Sequence, residues 1–346
     1  MTSLQSLLGI DLPIIQAPMA GVQSSALAIA VCNAGGLGSL PCAMLGADAM
    51  RAELRAITAS TSGPMNVNFF CHAPPKADGA RETAWRGTLA PFYRELGLDP
   101  SSVPAGPGRL PFGAEAAEVL SEFRPAVISF HFGLPSDDLL ARIRALGAKV
   151  FSSATTVDEA RWLDAHGVDA VIAQGFEAGG HRGMFLTDDL TTQIGTLALV
   201  PQIINAVKAP VIAAGGIADA SGVRAALKLG AAGVQIGTAY LLCPEATTTA
   251  VHGAALMSEA AGHTALTNVF TGRPARGIMN RVMRELGPIS DAAPSFPLAT
   301  AAMAPLRAEA EKRGSGDFSP LWSGQNNSGC KEIPAAQLTR DLAEQL

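Results

Sequence analysis

The sequence has 346 residues, of which 48% are hydrophobic and 16% are charged, and its formal net charge is −5. This composition excludes a disordered chain, and the scattered lysines and arginines form no basic stripe for successive phosphates of a nucleic acid. The opening residues lack a cationic start followed by an apolar run, and no later stretch reaches about 18 apolar residues, so we expect a cytoplasmic protein that does not cross a membrane.

Short apolar segments rich in valine and isoleucine predict eight buried strands. In chain order they span residues 12–16, 36–40, 65–70, 126–130, 148–153, 169–174, 209–214 and 232–237. Continuous hydrophobicity is typical of parallel strands that are covered on both faces. Helical patterns lie between them at residues 25–34, 47–59, 137–146, 157–166, 197–207 and 221–229. Eight alternating units predict an α/β protein closed as a (β/α)₈ TIM barrel.

Two segments do not fit the regular alternation. Residues 71–125 carry two helical stretches and a Pro/Gly-rich connection between the third and fourth strands, which indicates an insertion in the barrel core of residues 1–243. Residues 244–346 include helical patterns near 245–260 and 298–313 and a polar tail. We expect this C-terminal extension to cap the barrel mouth, because the chain exceeds a minimal barrel of about 250 residues by roughly 100.

Polar residues and glycines cluster after the C-terminal ends of the predicted strands. In such barrels the loops at these ends converge on one mouth and carry the functional groups. The residues at these positions are Met19, Asn68, His131, Ser153, Thr155, the loop from Gln174 to His181, Gly215, Gly216, Gly237 and Thr238. We therefore expect one site at the mouth.

Two glycine turns follow the seventh and eighth strands, in residues 213–219 and 234–238. Glycine allows main-chain N–H groups to approach phosphate oxygens closely, and barrels of this kind commonly hold a phosphate there. Neither segment contains lysine or arginine, so dipoles and N–H groups would hold the anion. We predict a phosphate site in preference to tight turns that serve packing alone.

Two histidines are candidate catalytic residues. His131 directly follows the fourth strand and would face the mouth, where an imidazole can exchange protons with substrate; the alternative is a core histidine with both nitrogens hydrogen-bonded. His181 lies in the glycine-rich loop 174–183, which also carries an amide, a carboxylate and a guanidinium, and its alternative is a solvated loop residue. The histidines that we expect to be structural or exposed are His72, His166, His252 and His263.

The absent motifs narrow the chemistry. The sequence has no H-E-x-x-H, Walker loop, G-x-S-x-G or strand-coupled G-x-G-x-x-G motif. Its cysteines, which form no C-x-x-C pair and predict structural thiols rather than a metal site, are Cys32, Cys42, Cys71, Cys243 and Cys330. A phosphate site beside an acid or base therefore indicates a bound organic cofactor.

Eight motifs, in the right order over nearly the whole chain, closely resemble class I nitronate monooxygenases, formerly called 2-nitropropane dioxygenases. They are QAPMAGV (16–22), AGGLGSL (34–40), NVNFFCH (66–72), SFHFGLP (129–135), QGFEAGGHRG (174–183), AAGGIAD (213–219), VQIGT (234–238) and FTGRPARG (270–277). The resemblance implies FMN as cofactor and oxidation of alkyl nitronates, such as propionate 3-nitronate, by O₂ to carbonyl compounds with release of nitrite or nitrate. A homodimer is compatible with the sequence.

The resemblance also implies roles for individual residues. It places His131 beside the reactive flavin edge and His181 at the substrate side. The residues that it implies as FMN contacts or as lining of the same cavity are Met19, Asn68, Gln174, Gly179, Gly180, Gly216, Gln235, Ile236, Gly237 and Thr238. A nitronate is already deprotonated, so His131 would accept a proton only from neutral nitroalkanes. Because the chain has only Tyr93 and Tyr240 and places Phe296 in the C-terminal region, we expect a preference for more apolar nitronates.

Two other interpretations stay open at the level of sequence. FMN-dependent NADH:quinone or enoyl-thioester reductases share the QAPM-like and GGI-like segments, although they generally lack the histidine of the FHFG segment. A non-catalytic flavin- or phosphate-binding barrel is the second alternative, against which the placement of His131 and His181 at strand ends argues.

Overall fold

The fold is a closed barrel of eight parallel strands, seen in a computed structural model that describes residues 3–76, 78–101, 103 and 109–346. The strands of the chain are β1 (Ile14–Gln16), β2 (Gly38–Pro41), β3 (Met65–Phe70), β4 (Val127–His131), β5 (Lys149–Ala154), β6 (Ala170–Gln174), β7 (Gly180–His181), β8 (Val211–Ala214), β9 (Gly233–Ile236), β10 (Thr264–Thr267) and β11 (Ala275–Ile278). The barrel runs in the order β1-β9-β8-β6-β5-β4-β3-β2. A parallel bridge between Ile15 and Leu37 closes it. The predicted eight strands and TIM-barrel class are confirmed.

Helices cover the outside of the barrel and build a separate cap. They are α1 (Leu4–Leu8), α2 (Ser25–Asn33), α3 (Ala47–Ser60), α4 (Gly79–Glu95), α5 (Ala114–Phe123), α6 (Asp137–Ala145), α7 (Val157–Ala165), α8 (Thr196–Ala206), α9 (Ala220–Lys228), α10 (Ala250–Leu256), α11 (Arg281–Leu286), α12 (Ala299–Lys312) and α13 (Ala335–Leu342). In the part of the chain described, none combines the length and apolarity needed to cross a membrane.

Apolar side chains fill the barrel and leave only its C-terminal end available for a site. Ile15, Phe151 and Ile212 point into the interior, where they pack with Leu4 of the first helix. The main-chain N–H of Leu4 donates to the carbonyl of Ala232 over 3.0 Å, which fixes α1 across the N-terminal end. Because this end is closed by α1, the loops at the opposite end form the accessible mouth.

The insertion after β3 divides between the barrel wall and the cap. Helix α5 packs against α3 and α6, and it therefore occupies the place of the third outer helix. Helix α4 packs instead against α12 of the C-terminal extension. Residues 102 and 104–108 of the predicted Pro/Gly-rich connection lie outside the described residues.

The last helix belongs to the barrel wall, whereas the sequence led us to expect the whole of residues 244–346 over the mouth. Helix α13 packs against α2 and α9, in the place of the eighth outer helix. Its buried residues Ala335, Leu338 and Leu342 join the main core. The hydroxyls of Thr339 and Tyr240 are 2.9 Å apart. The helix takes this position because its apolar stripe can be buried between α2 and α9.

The cap over the mouth consists of the segment between β9 and α13 together with α4. Its three-stranded antiparallel sheet, in the order β10-β11-β7, ties the loop after β6 to the C-terminal extension. A second apolar core contains Trp85, Tyr93 and Met303. The predicted helix near 245–260 is shorter than expected, because α10 ends at Leu256 and a 3₁₀ turn follows at Glu259–Gly262.

Candidate functional site

A cavity at the barrel mouth brings together every residue that the sequence nominated as catalytic or cofactor-binding. These residues are Met19, Asn68, His131, Gln174, Gly179, Gly180, His181, Gly215, Gly216, Gln235, Ile236, Gly237 and Thr238. They come from six different strand ends with their following loops, and parallel strands of one barrel place these ends around a single opening. The shared cavity establishes their proximity, while their individual roles stay predictions.

Amide side chains at the ends of two strands organise the floor of this cavity. Nδ2 of Asn68 donates to Oγ of Ser129 over 2.9 Å. Nε2 of Gln174 donates to the carbonyl of His181 over 2.9 Å, while its Oε1 accepts from the N–H of Gly183 over 2.8 Å. The amide of Gln174 therefore holds the returning strand of the glycine-rich loop.

Arg182 is a structural cation beneath that loop. Its side chain is fully buried, and it donates to the carbonyls of Gln174 and Gly175 and to Oε1 of Gln193 over 2.7 to 3.0 Å. Burial lowers the pKa of Arg182 to about 9, so the guanidinium remains charged at neutral pH. The guanidinium of the predicted ligand loop thus positions the loop main chain and does not line the cavity.

The glycine corners after β8 and β9 present unpaired main-chain donors. Gly215 and Gly216 adopt φ values of 115° and 72°, a region that favours glycine. The N–H groups of Gly216, Gly237 and Thr238 donate to no acceptor among the described residues. Nδ2 of Asn326 donates to the carbonyl of Gly216 over 2.9 Å, which fixes this corner from the cap side. Such a set of donors suits a phosphate.

A close approach between the loop and the cap depends on Gly179. A Cβ atom on this residue would lie 2.5 Å from the main-chain nitrogen of Gly324 and 2.6 Å from the carbonyl carbon of Ser323. The N–H of Gly324 in turn donates to Oγ1 of Thr238 over 2.9 Å. A side chain at position 179 would separate the loop from the segment that covers the ligand cavity.

Both ring nitrogens of His131 are hydrogen-bonded within the protein. Its Nε2 lies 3.0 Å from the carbonyl of His181, and its Nδ1 lies 3.0 Å from Oγ of Ser153. A carbonyl can only accept, so Nε2 carries the proton and Nδ1 accepts from the hydroxyl. Burial, with smaller contributions from the charges of Arg273 and Arg182, lowers the pKa of His131 to about 4. The ring lines the cavity as expected, yet it also satisfies the alternative of a histidine with both nitrogens paired.

The ring of His181 lies among aromatic side chains rather than in solvent. Its Nε2 is 2.9 Å from Oγ1 of Thr271, and its centroid is 5.3 Å from the ring of Phe296 and 5.6 Å from that of Trp322. Burial lowers the pKa of His181 well below its usual value, and the charge of Arg109 adds to this shift. Both histidines of the site are therefore neutral at physiological pH.

The two hydroxyls predicted after β5 have different environments. Ser153 lines the cavity and donates to His131. Thr155 is fully buried, and its Oγ1 donates to Oε2 of Glu159 over 2.7 Å. Thr155 therefore supports the neighbouring loop instead of the cavity.

Sequence reasoning missed several residues of the site. Arg109, His252 and Trp322 line the cavity, and Nε2 of His252 lies 3.0 Å from the carbonyl of Trp322. His72 is buried, and its ring packs 4.8 Å from that of Phe296. His72 does not line the cavity, in agreement with the structural role expected for it. Arg109 and Trp322 reach the mouth only through the fold of the insertion and the cap.

The remaining histidines and the two tyrosines lie outside the cavity. His166 and His263 are exposed, as expected. Tyr93 donates to the carbonyl of Ala302 in the core of the cap, and Tyr240 contacts the last helix, so neither tyrosine lines the cavity. The substrate side of the site is consequently built from phenylalanine, histidine, tryptophan and arginine side chains.

The cavity combines an unpaired acceptor at its wall with N–H donors at the glycine corners. Oε1 of Gln235 is buried at the cavity wall without a partner among the described residues, so it can accept from an N–H group of a ligand. The glycine corners offer N–H donors to a phosphate. In the described part of the chain, no group of histidine, cysteine and acidic side chains has the arrangement of a metal site. The cavity therefore suits an organic ligand with polar ring edges and an anionic end.

Comparisons with known proteins bear on this cavity. A family model described as nitronate monooxygenase matches residues 1–345. A nitronate monooxygenase from Pseudomonas aeruginosa is 46% identical, and the alignment covers 98% of this chain and 97% of the relative. A nitroalkane oxidase structure from Streptomyces ansochromogenes is 38% identical, with a TM-score of 0.90 and coverage of 99% and 97%. The structure of FabK from Thermotoga maritima is 26% identical, with a TM-score of 0.73 and coverage of 99% and 95%.

Proposed function

Since this chain belongs to the nitronate monooxygenase family, a family of flavin-dependent oxidoreductases, we propose that it uses FMN and O₂ to oxidise alkyl nitronates. The products are carbonyl compounds and nitrite or nitrate. The reductase alternative is not favoured, because identity falls from 46% to a nitronate monooxygenase to 26% to FabK. The structural similarity to FabK is consistent with a shared barrel fold.

The choice of FMN rests on the two ends of the cavity. The N–H groups of Gly216, Gly237 and Thr238 would hold the phosphate, and the unpaired Oε1 of Gln235 would accept from the ring system. FMN needs a single phosphate site, which these N–H groups would supply. When bound, FMN would supply the chemistry of the reaction, which is to accept electrons from the nitronate and to react with O₂.

The charge of the cavity favours an anionic substrate. Arg109 lines the cavity, and Arg273 lies with its Cζ 4.1 Å above the ring of Phe132. The charges of both arginines contribute to the lowered pKa of His181. A nitronate carries its negative charge on the nitro oxygens, so it is stabilised in this environment before any proton moves.

The observation that carries the proposal is the hydrogen bonding of His131. Its Nδ1 lone pair accepts from Ser153, and its pKa is about 4, so the ring is a weak proton acceptor at neutral pH. A substrate that arrives already deprotonated needs no such acceptor. The geometry thus favours nitronates over neutral nitroalkanes, while the ring of His131 holds the loop beside the ligand.

The direct test is the visible spectrum of the purified protein together with oxygen uptake on adding propionate 3-nitronate. We expect a flavin spectrum, release of FMN on heat denaturation as identified by chromatography, and O₂ consumption without reduced nicotinamide. A chromophore other than FMN would overturn the cofactor assignment. Rapid bleaching of the flavin by NADH, with no bleaching by nitronate under anaerobic conditions, would favour the reductase instead. Cytoplasmic location and homodimer formation stay predictions.

A further inference from the structure

Arg109 brings a cation to the cavity at the barrel mouth. It lines the same cavity as His131 and His181. Its Cζ lies 5.7 Å from the ring centroid of Phe296, and that ring is 5.3 Å from the ring of His181. Arg109 and His181 therefore line one cavity and lie against the same phenyl ring.

The guanidinium of Arg109 has no anionic partner in the part of the chain that the structure describes. Its Nη1 is buried without a hydrogen bond, and no carboxylate among the described residues forms an ion pair with it. Burial lowers the pKa of Arg109 to about 10, which leaves it charged at neutral pH. Because an unpaired charge away from water is unfavourable, such a group is better explained by an anion that comes from outside.

The main chain of Arg109 is held in place by a hydrogen bond from His72. Its carbonyl lies 3.0 Å from Nε2 of His72, and the ring of His72 packs at 90° against Phe296. A carbonyl only accepts, so Nε2 of His72 is the donor. His72 thus anchors Arg109 beside the phenyl ring, which reduces the entropy that the arginine would lose when it binds an anion.

We propose that Arg109 binds a carboxylate at the far end of the substrate and so selects nitronates with a second negative charge. This inference rests on the function proposed above. A guanidinium recognises the planar carboxylate through two parallel hydrogen bonds. In this arrangement the nitronate end would lie toward His131 and His181, and the carboxylate end at Arg109. This proposal reverses the expectation, based on the scarcity of tyrosine, that the cavity prefers apolar nitronates.

The test compares two substrates that differ only in the remote group. Propionate 3-nitronate carries a carboxylate where propyl-1-nitronate carries a methyl group. In Arg109→Met we expect KM for propionate 3-nitronate to rise by about 10- to 100-fold, the range for a hydrogen bond to a charged group. KM for propyl-1-nitronate should change by less than about threefold. Arg109→Lys keeps the charge, and its KM for propionate 3-nitronate should lie between those of the wild type and Arg109→Met. Arg142→Met, at an exposed position of α6, serves as the matched control.

A binding measurement separates this inference from the proposed reaction. Succinate is an unreactive dianion of the same length, with a carboxylate in place of the nitronate. We expect calorimetry to show succinate binding to the wild-type holoenzyme and its loss in Arg109→Met, with butyrate binding weakly to both. An equal rise of KM for both nitronates would overturn the proposal, because Arg109 would then bind the nitronate group itself. Failure of the wild type to oxidise either nitronate would refute the proposed function, while a succinate site lost in Arg109→Met would still support an anion site.

Discussion

Nε2 of His131 donates to the main-chain carbonyl of His181 over 3.0 Å, and the same carbonyl accepts from Nε2 of Gln174 over 2.9 Å. The side chain of one candidate catalytic residue thus fixes the main chain of the other. This link couples the end of β4 to the glycine-rich loop after β6. It also determines the tautomer of His131, since the carbonyl cannot donate.

Removing the partner of Nδ1 should make His131 a better proton acceptor. In Ser153→Ala, Nδ1 loses the hydroxyl that occupies its lone pair, which frees this lone pair to accept a proton from substrate. We expect oxygen uptake with neutral nitroethane to rise about fivefold relative to ethyl nitronate, measured within seconds of mixing. Ser152→Ala is the control, because Oγ of Ser152 donates to the carbonyl of Gly133 and not to His131. An unchanged ratio of the two rates would contradict this prediction.

Replacing Arg182 should destabilise the loop that carries Gln174 and His181. Arg182→Met removes the guanidinium donors of the Gln174 carbonyl and of the Gly175 carbonyl, of which the second keeps the N–H of Ala178, and a buried carbonyl left without a donor costs about 1–3 kcal/mol. We expect a lower free energy of unfolding in urea and faster release of the flavin on dilution. Arg144→Lys is the matched control, since Nη2 of Arg144 also donates to two carbonyls but at an exposed site where water can replace it. The prediction fails if both variants unfold at the same urea concentration.

The buried histidines should make the protein less stable in mild acid. The folded-state pKa values of His131 and His252 are lowered by burial to about 4, from an ordinary value near 6.5. Above pH 6.5 both groups are neutral in the folded and unfolded chains, so they add no pH dependence. Between pH 6.5 and 4 only the unfolded chain binds these protons, so the free energy of unfolding falls by up to about 1.4 kcal/mol per pH unit for each histidine. Urea unfolding at pH 7 and pH 5 measures the fall, and His252→Gln should reduce it only in part, because the buried His131 and His181 still contribute.

The eighth outer helix should be essential for stability although it lies away from the cavity. Leu338 is 2% exposed in the main core, so Leu338→Ala should lower the free energy of unfolding by about 3 kcal/mol. The visible spectrum of the flavin in the folded protein should stay unchanged. Gln337→Ala, at an exposed position of the same helix, should change stability by less than about 0.5 kcal/mol. Equal stability of the two variants would be incompatible with the packing of α13 against α2 and α9.

Much of the barrel and of its cofactor side could be predicted from local patterns. The strands of a parallel barrel are buried on both faces, so segments such as 65–70 and 169–174 are continuously apolar and easily recognised. The rule that functional groups follow strand ends then placed Asn68, Gln174 and Gly216 at one mouth, and all three line the cavity. Neither step required knowledge of contacts between distant parts of the chain.

The sequence by itself therefore determined the fold class and most of the residues around the mouth, because strand periodicity and glycine turns are local properties, and its motifs indicated the family by resemblance. Only the tertiary structure decided that α13 completes the barrel wall, that both nitrogens of His131 are paired, and that Arg109 lies unpaired beside Phe296. Each of these depends on contacts between segments far apart in the chain. Burial and the choice of hydrogen-bond partner are set by such contacts, and they in turn set the charge of a group and the substrate that it can bind.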